Sequence, residues 1–306
     1  MNNLTKTIKI IGVPSDLGAN MRGSNMGPAS LRIANLQEKI KQMGHQVIDL
    51  GDLNVPVRES LPQAIIDNKY LEPLENICKS LFKKTQESLQ QGHLPLVIGG
   101  DHSISIGSIS GVSEHYAKQN KKIGLIWVDA HADMNTPESS DSGNIHGMPL
   151  ATILGDGHSS LKSIGSKHKK VNPENVALIG IRNIDQNEKD VLKKSGIHYF
   201  TMREVDERGM YEIMKEAIEY ASRDTEGIHV SFDIDGVDPL YAPGVSTAVK
   251  GGLSFREAHL ILEMVAETKK VSSMDFVELN PFTDEGSRTA ELVVELIQSA
   301  LGKSII

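Results

Sequence analysis

The chain has 306 residues, of which 39% are hydrophobic and 24% are charged, and its formal net charge is -8 at pH 7. These fractions are typical of a globular protein with a sizeable core, and the acidic balance argues against nucleic-acid binding. The single cysteine, the lack of a signal-peptide core and the lack of a membrane-length apolar run lead us to expect a cytoplasmic protein without a membrane partner.

Predicted strands and helices alternate along the whole chain. Largely apolar runs predict strands, in chain order, over Ile8–Val13, Val47–Leu50, Leu94–Ile98, Ile123–Val128, Val176–Ile181, Ile197–Thr201, Ile228–Phe232 and Val271–Val277. The clearest helical patterns cover Gly27 to about Met43, Tyr70–Gln91, Tyr211–Ala221, Phe255–Glu267 and Thr289–Leu301. Because the alternation never breaks, we predict one α/β domain over residues 1–306, with a doubly wound, mainly parallel sheet flanked by helices on both faces.

Metal-capable side chains follow three of the predicted strands. They are His102 in the turn Gly99-Gly100-Asp101-His102-Ser103, then Asp129, His131 and Asp133, and then Asp233 and Asp235. The carboxyl ends of parallel strands are where open α/β sheets bind ligands. Residues two apart in an extended segment also point the same way, so each cluster can share one face.

This set of side chains favours bound cations over separate structural roles. A lone Asp or His after a strand is usually a helix cap, but four carboxylates gathered in one place would repel unless cations neutralise them. Two divalent ions fit the inventory better than one. An oxygen-rich set with two imidazoles and no thiolate suits Mn²⁺ and also tolerates Fe, Co or Ni, whereas a Cys-rich structural zinc site is excluded.

Three segments of the sequence resemble signatures of the ureohydrolase family, and within it of the arginases. They are Gly99-Gly100-Asp101-His102-Ser103, Asp129-Ala130-His131-Ala132-Asp133 and the stretch Ser231-Phe232-Asp233-Ile234-Asp235-Gly236-Val237-Asp238-Pro239. The resemblance covers nearly the whole chain and implies an arginase-like three-layer fold, hydrolysis of L-arginine to L-ornithine and urea, and two Mn²⁺ ions per subunit. It implies that Asp129 and Asp233 bridge the ions, that His102 and Asp133 complete one, and that His131 and Asp235 complete the other.

A long polar loop also matches the family's substrate loop. It contains Asn135-Thr136-Pro137 and Ser142-Gly143-Asn144-Ile145-His146-Gly147. By resemblance, Asn135 and Ser142 would bind the substrate α-carboxylate, with Asn144 nearby, whereas Asp185 and Glu188 would take the α-ammonium. Thr247 matches a family threonine near the substrate. Taken without the family, Asp185 and Glu188 are equally well explained as helix N-terminal caps.

The same resemblance suggests how the remaining groups act. Asp133 would hold the hydroxide nucleophile and pass its proton to the leaving amine, Glu278 would pair with the guanidinium, and His146 would shuttle protons to solvent. Two departures from the family pattern lie near the expected pocket. Residues 244–248 lack the usual Gly-Thr-Pro form, and Asn183 stands where many arginases have Asp.

Three other functions compete with this interpretation. An agmatinase would act on a guanidino substrate without a carboxylate, and would leave Asn135 and Ser142 unsatisfied. A single-metal deacetylase of similar fold would have no reason to keep His102 and Asp133. A non-catalytic metal-binding relative would not need Glu278 and His146. Because family members commonly form homotrimers or homohexamers, we expect one of these assemblies.

Overall fold

The computed structural model describes residues 5–165 and 169–303, and an eight-stranded sheet lies at its centre. The strands are β1 (Thr7–Gly12), β2 (Gln46–Asp52), β3 (Leu94–Ile98), β4 (Ile123–Val128), β5 (Val176–Ile181), β6 (His198–Thr201), β7 (Gly227–Asp233) and β8 (Val271–Val277). All neighbouring strands pair in parallel, in the order β2-β1-β3-β8-β7-β4-β5-β6. The eight predicted strands are therefore confirmed, with ends that agree within two residues.

Helices connect the strands throughout the described residues. They are α1 (Gly27–Ile33), α2 (Leu36–Gln42), α3 (Gln63–Asp67), α4 (Leu71–Gln90), α5 (Ser105–Ala117), α6 (Pro149–Ile153), α7 (Ser159–Lys162), α8 (Gln186–Ser195), α9 (Met202–Arg208), α10 (Met210–Ser222), α11 (Phe255–Glu267) and α12 (Arg288–Ala300). None of the helices in the described part of the chain combines the length and apolar character that crossing a bilayer requires.

The single helix predicted from Gly27 to about Met43 is wrong. The structure has two helices, α1 and α2, separated at Asn35, whose φ of 63° lies in the left-handed region. Asparagine tolerates this conformation better than most residues. Leu31, Leu36 and Ile40 are all fully buried on either side of the break, so an apolar pattern continues where the backbone does not.

Apolar side chains of the sheet pack against helices on both of its faces. Within β4, Ile126 and Val128 pack in the core that contains α10, α11 and α12, whereas Leu125 and Trp127 pack on the opposite side with residues of α5. Successive residues of a strand point to opposite faces, so a strand covered on both sides must be apolar throughout. The predicted doubly wound architecture is confirmed.

Four adjacent strands of this sheet, β3, β8, β7 and β4, end at one edge of the molecule. The turn after β3 is tightly built, because Gly99 and Gly100 have φ of 77° and 82°, and a Cβ on Gly99 would lie 2.2 Å from Pro28 Cδ. Gly100 O also accepts a 2.8 Å hydrogen bond from the backbone N–H of Glu278, just after β8. A backbone hydrogen bond thus connects the segment after β3 with the segment after β8.

Candidate active site

The turn after β3 directs His102 inward. The Asp101 side chain accepts hydrogen bonds from Ser103 N at 3.1 Å and from Gly18 N at 3.0 Å, which caps the short 3-10 turn that starts at His102. The backbone N–H of His102 donates to Glu278 Oε1 at 2.9 Å. One local hydrogen bond and two from distant segments therefore hold the backbone that carries the imidazole.

Three carboxylates converge on one nitrogen of His102. Its Nδ1 lies 3.1 Å from Asp129 Oδ2, 3.1 Å from Asp133 Oδ2 and 3.0 Å from Asp233 Oδ2. All four side chains are buried. Two of the atoms concerned, His102 Nδ1 and Asp133 Oδ2, make no hydrogen bond of good geometry within the described structure. The three carboxylates and the imidazole therefore form one buried His/Asp group that could hold a cation.

A second group shares Asp129 with the first. His131 Nδ1 lies 3.4 Å from Asp129 Oδ1 and 3.2 Å from Asp235 Oδ2. Thr247 Oγ1 donates a 2.7 Å hydrogen bond to Asp235 Oδ2 and thereby orients that carboxylate. The structure thus brings together all six side chains that the sequence predicts as metal ligands.

The charges of this cluster are not balanced by the chain alone. Burial raises the pKa of Asp133 to about 6, and the neighbouring charge of Asp129 adds to that rise. Burial opposes protonation of His131, but the charge of Asp235 and contact with Asp129 raise its pKa to about 12. In the chain alone, protons on Asp133 and His131 offset the repulsion between the carboxylates. A buried, oxygen-rich donor set with two imidazoles suits divalent cations of the Mn²⁺ type, so these residues fit the metal that the family implies.

The cluster forms the floor of a cavity of about 250 Å³. The residues that line the cavity are His102, His131, Asp133, Asn135, Ser142, His146, Gly147, Asn183, Asp185, Glu188, Asp233, Asp235, Thr247 and Glu278. Twelve of the fourteen predicted site residues are among them. Asp129 lies below the floor, fully buried, and Asn144 is not a lining residue.

The predicted ammonium-binding residues lie together at one side of the cavity. Asp185 Oδ1 accepts from Glu188 N at 2.8 Å and caps α8, so the structural interpretation of Asp185 is confirmed. Its other oxygen accepts from Asn135 Nδ2 at 3.0 Å and remains part of the cavity wall. Glu188 accepts from Met134 N at 2.9 Å, and burial raises the pKa of its carboxyl to about 8.

Glu278 and His146 form a pair beside the metal-ligand cluster. The distance from His146 Nδ1 to Glu278 Oε1 is 3.2 Å, and Glu278 is only 1% exposed. Burial opposes protonation of His146, but the hydrogen bond and the charge of Glu278 raise its pKa to about 9. The second oxygen of Glu278 is buried and makes no hydrogen bond to the described residues. It is an anionic group with one side free for a cationic partner.

A polar network behind His102 is absent from the sequence-based prediction. His102 Nε2 lies 2.9 Å from Ser231 Oγ, which donates to Asp275. The other oxygen of Asp275 lies 2.9 Å from His229 Nε2. Burial opposes ionisation of Asp275, but the charge of His229 holds its pKa below the usual value. The sequence does carry a signal for this network, namely polar residues two apart within a buried strand. His229, Ser231 and Asp233 form such a series and occupy one face of β7.

Arg182 is a further residue of the site that was not predicted from the sequence. Its guanidinium donates to backbone carbonyls at Asp235 (2.7 Å), Gly236 (3.0 Å) and Val249 (2.8 Å). Its own backbone N–H donates to Ala130 O at 2.9 Å. One residue thus connects both aspartate corners to the loop that carries Thr247, and no short motif marks it.

Both the sequence and the fold of the chain are similar to those of known arginases. The sequence model of a family described as "Arginase family" matches residues 6–302. An arginase from Bacillus caldovelox is 45% identical over 302 residues, covering 98% of this chain and 100% of that protein. Its native crystal structure covers 99% of this chain and 100% of its own, with a TM-score of 0.94 and 44% identity. An Entamoeba histolytica arginase structure in complex with L-ornithine is 34% identical, covers 99% of this chain and 100% of its own, and has a TM-score of 0.90.

Proposed function

Because the chain belongs to the arginase family, we propose that it hydrolyses the guanidinium group of L-arginine to L-ornithine and urea at a binuclear manganese centre. The observation that carries the proposal is the convergence of six His and Asp side chains at or directly below the floor of a cavity that Glu278 and His146 also line. The names of the relatives support the reaction, and the donor set supports the metal.

The two groups of side chains would hold the ions in the arrangement that the resemblance implies. Asp129 belongs to both groups, and Asp233 Oδ2 lies 3.0 Å from His102 Nδ1, which supports the proposal that both carboxylates would help to hold the ions. The chemistry that such a pair of ions supplies when bound is a hydroxide nucleophile generated from water near neutral pH. Trp127 would keep two of the metal-holding side chains in position. Its Nε1 donates to Asp129 Oδ2 at 3.0 Å, and its ring stacks on His102.

The guanidinium of the substrate needs an anionic partner that holds it in one orientation. Glu278 supplies a buried carboxylate, one oxygen of which has no hydrogen-bond partner among residues 5–165 and 169–303. Such positioning both stabilises the cation and aligns its carbon for attack. Asp133, which lines the cavity, would pass a proton from the attacking water to the leaving amine. His146, about a fifth exposed at its side chain, would carry to solvent the proton that is released when the next water molecule is ionised.

The amino-acid end of the substrate would bind at the opposite side of the cavity. Asn135 and Ser142 offer neutral donors for the α-carboxylate, and Asp185 and Glu188 offer carboxylates for the α-ammonium. Ionisation of Glu188 would be favoured when an ammonium group approaches, since an opposite charge lowers a carboxyl pKa.

The proposal extends to the organisation of the protein. We treat residues 1–306 as a single catalytic domain, supported by one sheet that takes strands from Thr7 to Val277. The family resemblance supports a homotrimer or homohexamer, and the lone cysteine, Cys78, supports a cytoplasmic location.

The test is urea release after reconstitution with Mn²⁺, with L-arginine and agmatine as parallel substrates. The proposal expects a preference for L-arginine and binding of two Mn²⁺ per chain by elemental analysis. Asp129→Asn should lose both activity and metal. A preference for agmatine would overturn the substrate assignment but not the metal site, and full activity of a metal-free sample would overturn the metal site.

A further inference from the structure

The charge of the cavity poses a problem for an amino-acid substrate. Six carboxylates line it, and among the described lining residues none is a lysine or an arginine. These groups attract the guanidinium and the α-ammonium but repel the α-carboxylate. Asn135 and Ser142 carry no charge, and the amide N–H of Asn135 already donates to Asp185. A cation near the carboxylate end would therefore contribute strongly to binding.

Lys69 places a cation beside Asn144, two residues along the chain from Ser142, which lines the cavity. Its Nζ lies 3.4 Å from Asn144 Oδ1. A Cβ added to Gly143 would lie 3.5 Å from Lys69 Cε, so the lysine stem packs along the turn that joins Ser142 to Asn144. No carboxylate within the described ranges 5–165 and 169–303 forms an ion pair with this half-buried lysine, so its charge is not neutralised locally.

The backbone that carries Lys69 is held in a conformation that L-residues rarely adopt. Lys69 and Tyr70 have φ of 50° and 56°, two successive left-handed residues directly before α4. Such conformations persist only where surrounding contacts enforce them, and they concentrate at functional sites. The Tyr70 ring is buried, and its hydroxyl accepts a 2.9 Å hydrogen bond from Arg58 Nε.

Arg58 also contacts the segment that holds the backbone of His146. Arg58 Nη1 donates to Asp16 O and to Ala19 O, each at 3.1 Å. Between these two residues, Gly18 O accepts the backbone N–H of His146 at 3.1 Å. The position of Lys69 is thus fixed relative to the cavity through a short series of hydrogen bonds.

We infer that Lys69 is a specificity-determining residue whose ammonium binds the α-carboxylate of the substrate at the rim of the cavity, beside Ser142 and Asn144. The inference rests on the proposed function, because it assigns the group that distinguishes a guanidino amino acid from the same molecule without its carboxylate. It also predicts that the contribution of Lys69 falls as salt screens a partly exposed charge.

The experiment compares Lys69→Met and Lys69→Arg with the wild type on L-arginine and agmatine at two ionic strengths. Lys83→Met, which removes an exposed charge about 18 Å along α4 from its start, is the matched control. We expect Lys69→Met to raise KM for L-arginine about fivefold at low salt, with kcat and the agmatine constants unchanged. Lys69→Arg should restore KM to within about twofold, because it keeps the charge.

Equal effects of Lys69→Met on both substrates, or an effect that Lys83→Met reproduces, would overturn the inference while leaving the proposed function intact. A wild-type enzyme that prefers agmatine, or that turns over neither substrate, would overturn both. Thermal unfolding of each variant separates a change in substrate binding from a loss of folded protein.

Discussion

Glu278 Oε1 lies 3.2 Å from Nδ1 of His146, and the backbone of Glu278 has a left-handed φ of 63°. The carboxylate stabilises the imidazolium, so the two groups act as a coupled pair. Replacing the carboxylate changes the titration of the histidine as well as the binding of the substrate.

Glu278→Gln should therefore lower the pKa of His146 from about 9 toward or below its ordinary 6.5, because burial then opposes protonation with less compensation. Titration of the histidine ring by NMR measures this directly. We also expect kcat to fall about 100-fold, since the group that orients the guanidinium has lost its charge. An unchanged His146 titration would show that the pair is not coupled.

Thr247→Val should weaken metal binding without unfolding the protein. The mutation removes the 2.7 Å hydrogen bond to Asp235 and leaves that carboxylate free to rotate. Loss of such an outer partner lowers metal affinity by about tenfold. Calorimetric titration with Mn²⁺ measures the change, and Thr247→Ser, which keeps the hydroxyl, serves as the control. If serine and valine behave alike, the hydroxyl does not orient Asp235.

Glu188 should make stability fall as pH rises. Its folded pKa of about 8 lies above the unfolded value of 4.5, so between these values the folded state holds more protons than the unfolded state. Stability is then highest below pH 4.5 for this group and is lost as pH rises through 8. Glu188→Gln should remove this dependence and raise the unfolding free energy at pH 8.5 by about 3 kcal/mol. Chemical denaturation of the metal-free wild type and variant across this pH range measures the free energy of unfolding of each. If this free energy changes with pH in the same way for both proteins, the assignment is contradicted.

Removal of metal should lower the thermal unfolding midpoint. A ligand that binds only the folded state adds about 2.7 kcal/mol per site when its free concentration is about 100 times Kd. For a chain of this size, one such site corresponds to a shift of about 5 °C. Differential scanning calorimetry before and after chelation, and after readdition of Mn²⁺, measures it. A midpoint that chelation leaves unchanged would argue that the buried carboxylates hold no cation.

Two glycines separate steric crowding from backbone strain. A Cβ on Gly124 in β4 would lie 1.8 Å from Ala221 O in α10, so Gly124→Ala must push the helix from the sheet and should cost about 3 kcal/mol. Gly51 has φ of 73° but open space around it, so Gly51→Ala should cost about 1 kcal/mol. Urea denaturation measures both free energies. The reverse order would show that the approach of α10 to β4 is readily relaxed.

The six inner strands of the sheet could be predicted from the sequence because a strand buried on both faces is apolar at nearly every position. The break between α1 and α2 could not, since one left-handed asparagine leaves the apolar spacing around it helical in appearance. The order of the strands was also inaccessible, because nothing local indicates that β8 inserts between β3 and β7.

The metal-ligand cluster was predictable because its members lie in short segments directly after strands. Arg182 was not, because its partners are backbone carbonyls far along the chain, which carry no residue signature. Lys69 was missed for a similar reason. Its relation to Asn144 spans 75 positions and depends on two strained backbone angles.

The place of β8 in the sheet has a consequence for the order of folding. β8 begins only at Val271, yet it pairs with β3 on one side and with β7 on the other. Those two strands end earlier in the chain, at Ile98 and Asp233. A ribosome must therefore deliver most of the chain before these two halves of the sheet can join. Until then the edges of β3 and β7 are unpaired, and His102 is separated from Asp233. Assembly of the reactive centre is thus a late event, and the nascent chain is exposed to aggregation until β8 arrives.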